Sequence, residues 1–176
     1  MCFNKMLGEV QNLEEDCFDF SEVITVFVNK DLYAFAVNNP VHTFKITNFA
    51  TDDRLNTTLS TLPRYYKELF FFGFAVCYWE ASDSIVLTGG SDVKENGDKV
   101  DSAETNKMDV QSGCWEQKLH PALKVARWNH SMMALGQQCY VACGTFGPLG
   151  PLSSIEMIRL GVRKWELIKI PDLTPR

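Results

Sequence analysis

Met108-Asp109-Val110-Gln111-Ser112-Gly113-Cys114-Trp115-Glu116 returns 50 positions further on as Ile158-Arg159-Leu160-Gly161-Val162-Arg163-Lys164-Trp165-Glu166. Trp115 recurs as Trp165, and the apolar Met108 and Val110 recur as Ile158 and Leu160. Beyond the tryptophans, Pro121 and Leu123 recur as Pro171 and Leu173. An apolar strand ending in glycine precedes each copy, Ile85-Val86-Leu87-Thr88-Gly89-Gly90 in one and Tyr140-Val141-Ala142-Cys143-Gly144 in the other. A period of this size marks an array of supersecondary units, each too small to bury its apolar faces without neighbours.

Working outward, the chain shows no sustained helical period. It consists of short runs rich in Val, Ile, Phe, Tyr and Thr, separated by Gly, Asn, Asp and Pro, the pattern of many short strands. The last unit, 124–176, reads as strands at Asn129–Leu135, Cys139–Gly144, Ile155–Leu160 and Lys164–Ile170, with a Gly/Pro loop over Thr145–Ser153. The unit before it, 65–123, reads as strands at Phe71–Trp79, Ser84–Gly90, Ala103–Val110 and Cys114–Leu119. Its charged loop, Ser91–Ser102, is expected to be mobile and to add nothing to a core. A degenerate unit over 22–64 keeps the strand order but lacks the glycine doublet and the tryptophan, and the acidic segment 1–21 fits no unit. Four-stranded antiparallel meanders in tandem predict an all-β chain, a partial β-propeller of about three blades. In that arrangement Trp115 and Trp165 fill the gaps between twisted sheets, and the glycines relieve crowding near the axis.

Gly89-Gly90, Trp115, Leu119, Pro121-Ala122-Leu123, Arg127, His130 and Tyr140-Val141, taken in order, resemble the kelch repeat, which has a period of about 50 residues. The resemblance covers 71–176 by residue pattern and 22–64 by strand order. Cys143-Gly144 stands where the family carries a glycine pair. WD-type propellers end a strand with Trp-Asp, whereas Trp115-Glu116 and Trp165-Glu166 open one. The resemblance implies a non-enzymatic protein-interaction module, of the kind that presents substrates to cullin-type ubiquitin ligases. Its alternative is part of a kelch-propeller enzyme such as a sugar epimerase or a copper oxidase. In kelch-like propellers the loops joining strands two and three, and those joining successive blades, share a partner-binding rim. Here those loops hold Arg64, Tyr65, Arg127, Trp128 and Phe146, and Arg, Tyr and Trp are frequent interface anchors. The same residues have a structural reading, Arg127 tying blades together and Trp128 or Tyr65 packing between them. Gly89, Gly90, Trp115, Pro121, His130, Gly144, Trp165 and Pro171 are the repeat's structural positions. Three blades cannot close a ring, so further blades or self-association are expected to complete it.

Charge and chemistry narrow the partners. Residues 1–117 carry 9 Lys/Arg against 19 Asp/Glu, while 118–176 carry 8 against 3. The basic end is scattered over strand ends and turns (Arg159, Arg163, Lys164, Lys169), a solvated face rather than a nucleic-acid surface. The longest apolar run, Leu69–Trp79, is too short to span a bilayer. No apolar signal segment follows Met1, so the six cysteines are expected to be reduced thiols in a cytoplasmic protein. Cys139 and Cys143 lie roughly 13 Å apart at strand rise, too far to share a metal or a disulfide. His42, His120 and His130 fall in three separate units, and no phosphate loop or nucleophile motif is present. No metal, cofactor or catalytic residue is assigned, and a protein partner is the expectation.

Overall fold

The computed structural model describes residues 23–36, 42–47, 56–61, 70–93, 96–116 and 120–168. Among these the chain is all-β, with short antiparallel strands and a single 3-10 turn at Glu80–Ser82. Glu14-Glu15-Asp16, Arg64, Tyr65 and Pro171 lie outside the described residues.

The first sheet is a meander of β1 (Val23–Val28), β2 (Asp31–Ala36), β3 (His42–Thr47) and β4 (Asn56–Thr61), paired in that order. Asn29 opens its first hairpin at φ 55°, a left-handed conformation that asparagine tolerates and tight hairpins need. Next come β5 (Phe70–Phe72), β6 (Ala75–Trp79), β7 (Ser84–Thr88), β8 (Ser91–Val93), β9 (Lys99–Asp101) and β10 (Thr105–Asp109). The second sheet takes β6, β7 and β10, while β5, β8 and β9 form a separate three-stranded ribbon. The third sheet is again a four-stranded meander, of β11 (Ser131–Leu135), β12 (Gln138–Ala142), β15 (Ile155–Arg159) and β16 (Glu166–Ile168). Between β12 and β15 lies a two-residue hairpin, β13 (Thr145–Phe146) with β14 (Gly150–Pro151).

Three strand assignments differ from the sequence reading. Phe71–Trp79 is not one strand: the chain breaks at Gly73-Phe74, because the Gly73 carbonyl accepts from Asn129 N at 2.7 Å instead of continuing a ladder. Ser91–Ser102 is not a structureless loop. It folds back as β8 and β9, with Ser91 and Asp92 buried and Ser91 Oγ donating to Asp101 at 2.9 Å. The expected strand Cys114–Leu119 is reduced, in its described part, to one bridge between Trp115 and Met108. The repeat offset also varies along the unit. It is 50 from β10 to β15 but 54 from β7 to β12 and 56 from β6 to β11, because in the earlier unit both the excursion between second and third strands and the first hairpin, which holds the 3-10 turn, are longer.

Two apolar clusters join the three sheets. Val28, Tyr33 and Phe35 of the first meet Phe74, Ile85, Leu87, Met108 and Trp115 of the second. Trp79, Val86 and Cys77 on the opposite face of the second sheet meet Cys139, Val141, Ile158 and Trp165 of the third. Trp115 and Trp165 therefore each lie between their own sheet and the preceding one. Trp115 stands edge-on to Phe35, centroids 6.2 Å apart. Trp165 is fully buried, and its Nε1 donates to Thr105 Oγ1 (3.2 Å) and Pro121 O (2.9 Å). Trp79 Nε1 adds a tie to Gly136 O at 3.0 Å. The consequence shows in the second strands: β7 is buried at every position, whereas β12 alternates between buried and half-buried. Sheets cover both faces of β7 and one face of β12.

Candidate functional site

The second strands of the second and third sheets end in glycines because the segment 127–130 runs against both. A Cβ on Gly89 (φ +61°) would sit 2.6 Å from His130 Cε1, and one on Gly144 (φ +92°) would sit 2.8 Å from Trp128 O. Only glycine combines that backbone with that approach. Gly90 N then donates to Arg127 O at 2.8 Å, and the Trp128 and Thr145 backbones exchange bonds of 3.0 and 2.8 Å. One short segment thus fastens the second sheet to the third and sets where Arg127, Trp128 and His130 point.

Arg127 points inward. Its side chain is fully enclosed and every guanidinium donor has an acceptor: Val125 O, Cys143 O, Ser154 O, Ser154 Oγ and Glu156 Oε1. A guanidinium offers five N–H groups, so none is left for a partner. The expectation of Arg127 as a partner-binding anchor is corrected to its structural alternative. Glu156 is likewise sealed, and also accepts from Lys124 N (2.6 Å) and Val125 N (3.1 Å). It was not singled out from sequence, where a lone glutamate in a strand carries no signal.

His130 is buried with Nε2 2.9 Å from Thr88 Oγ1. Burial first, and then the positive charge of Arg127, push its pKa down to about 3. The ring is therefore neutral near pH 7, held against Gly89 and within hydrogen-bond distance of Thr88. Among the described residues no group of three or more His, Cys, Asp and Glu side chains gathers in a metal-binding array.

Trp128 points the other way. Half-buried, it stands edge-on to Phe72, centroids 5.6 Å apart at 74°. Lys99 Nζ lies 5.4 Å from the Phe72 ring centre and 5.5 Å from that of Trp128, within the range of cation–π attraction. Asp101 Oδ2 accepts from Gly147 N at 2.6 Å, linking the ribbon of the second sheet to the hairpin of the third. That hairpin carries the half-buried Phe146 and, at its tip, Leu149, 68% exposed. Val100 on β9 is also exposed. Phe72 and Trp128 thus flank Lys99, and Val100, Phe146 and Leu149 stand on the ribbon and hairpin that Asp101 and Gly147 tie together.

Trp128 and Phe146, expected from sequence to lie in partner-binding loops, are both half-buried, Trp128 beside Phe72 and Lys99 and Phe146 on the β13–β14 hairpin. Phe72, Lys99, Val100 and Leu149 were missed. Phe72 sits in an apolar run that reads as core, and Lys99 and Val100 sit in a segment whose charge reads as loop. The repeat positions Gly89, Gly90, Gly144 and His130 converge on the 127–130 segment, while Trp115 and Trp165 belong to the intersheet clusters and Pro121 O accepts from Trp165.

No family model matches the chain, and no curated protein matches it. Among solved structures 131 chains match. One, the structure of YjhT, has a TM-score of 0.59 at 14% identity, covering 84% of this chain and 45% of that one. The chain therefore spans less than half the length of that neighbour. At this identity the likeness is one of fold. Among the described residues no helix is long and apolar enough to cross a membrane.

Proposed function

We propose that the three sheets are successive blades of a partial kelch-type β-propeller and that the chain is a non-enzymatic protein-interaction module, binding through its loop rim. The blade reading is supported by repetition: one face of the first sheet meets the second, and the corresponding face of the second meets the third. The binding reading rests on one observation, the half-exposed Trp128 framed by Phe72 and Lys99 beside Phe146 and Leu149. Aromatic anchors on a rigid mount, flanked by adaptable polar groups, are the usual content of an interface hot spot.

The test is quantitative affinity capture with three forms of the chain: wild type, Trp128→Ala with Phe146→Ala, and Val162→Ser. Val162 is exposed in the turn between β15 and β16, away from the rim. Proteins held by wild type and by Val162→Ser but lost at least tenfold from the rim variant support the reading, provided circular dichroism shows all three folded. Equal retention by the folded rim variant overturns it.

A further inference from the structure

Cys77 of β6 and Cys139 of β12 belong to different sheets and are 62 residues apart, yet their sulfurs face each other at 3.8 Å across the second interface. Cys139 is wholly enclosed, while Cys77 is half-buried. The other described cysteines differ. Cys114 and Cys143 are exposed, and the Cys114 thiol is turned to Ser112 O at 3.6 Å rather than to another sulfur. The hydrogen bond with Cys77, and then burial, hold the pKa of Cys139 above the ordinary thiol range. Cys139 thus stays protonated beside the less deeply buried Cys77.

We propose that Cys77 and Cys139 are a site of oxidative cross-linking, closed to a disulfide by hydroperoxides such as hydrogen peroxide. The Cys77 sulfur attacks the peroxide, gaining an S–O bond as the O–O bond breaks, and leaves a sulfenic acid and one water. The Cys139 sulfur then attacks the Cys77 sulfur. An S–S bond forms, the S–O bond breaks, and the hydroxyl departs with the Cys139 proton as a second water. Two thiols and one peroxide give one disulfide and two waters, so the thiols are oxidised by two electrons and the peroxide is reduced by two. The sulfurs must approach by about 1.8 Å to reach bonding distance, by rotation of both side chains about their Cα–Cβ bonds. The cross-link would join the two sheets that carry the rim.

The experiment exposes the full chain to a slight excess of hydrogen peroxide, blocks the remaining thiols and maps linked peptides by mass spectrometry. The expected product is a Cys77–Cys139 peptide pair lighter by two hydrogens, the dominant link, split by dithiothreitol. It should be absent from Cys77→Ser and from Cys139→Ser and retained in Cys143→Ser. The proposal fails if folded wild-type protein gives Cys77 as sulfinic acid without the link, gives links dominated by other cysteines, or gives no link while Cys114 is oxidised. Because the mapping on wild type decides alone, a variant that misfolds does not rescue the idea.

Discussion

Arg127 Nη2 lies 2.6 Å from Glu156 Oε1, and neither side chain reaches solvent. The pair closes the contact between the 124–130 segment and β15, so it bears on how the third sheet is held. Removing one member of a sealed pair strands the other charge, at a cost of roughly 3–5 kcal/mol. Glu156→Ala should therefore lower unfolding free energy by about that amount, measured by urea titration. Glu156→Gln, whose one carbonyl oxygen can still accept from Val125 N and Arg127 Nη2 at the Oε1 position but leaves Lys124 N facing an NH2 group, should lose less. A loss below about 1 kcal/mol for Glu156→Ala would mean that the site is hydrated.

Trp165 fills the second interface and spends its indole N–H on Thr105 and Pro121. Trp165→Ala should destabilise the chain by roughly 3–5 kcal/mol. Trp115, whose Nε1 has no hydrogen-bond partner among the described residues, should cost somewhat less on the same substitution. Equilibrium unfolding of the two variants side by side checks the order.

His130 gives a pH dependence with a definite sign. Its pKa is about 3 when folded and near 6.5 when unfolded, so the unfolded chain binds the proton more readily. The stabilisation is fully present above pH 6.5 and is lost progressively as pH falls toward 3. Between pH 7.5 and 5, before most carboxylates titrate, the loss from this residue is roughly 2 kcal/mol. His130→Gln should remove most of that decline. Urea midpoints at the two pH values for both proteins provide the measurement, and an unchanged decline in the variant would contradict it.

How much of this was legible in the sequence follows from the range of each interaction. The strands of the third sheet stood out because Gly136, Gly144 and Gly161 punctuate short apolar runs, and the Trp115–Trp165 repeat pointed to equivalent places in two interfaces. Strand pairing across a turn is local, and local patterns survive in composition. The ion pair joins residues 29 apart and the thiol pair residues 62 apart, and nothing in either neighbourhood marks its partner. Phe72 was hidden because a ribbon strand over an interface and a core strand draw on the same apolar residues. Arg127 and Trp128 are adjacent in sequence, and only the backbone direction set by Gly89 and Gly144 sends one inward and the other to the rim.

The outer face of the third sheet yields a further prediction. Met133 and Leu135, 56% and 65% exposed, occupy the positions that Cys77 and Trp79 hold in the second sheet, where a neighbouring sheet covers them. Apolar groups so placed favour association. Light scattering over a dilution series should show concentration-dependent self-association of the chain, suppressed in Met133→Lys with Leu135→Lys. A monodisperse wild-type monomer across the series would contradict a ring completed by further sheets.

Site-specific photo-crosslinking tests the central claim, the loop rim as the binding surface, most directly. A photoreactive phenylalanine analogue is placed in turn at Phe146, Leu149 and Val162, and the cross-linked products formed in cells are compared. The account predicts discrete adducts with other proteins from Phe146 and Leu149, lost when Trp128→Ala is added, and none from Val162. Adducts confined to Val162, or rim adducts indifferent to Trp128→Ala, would contradict it.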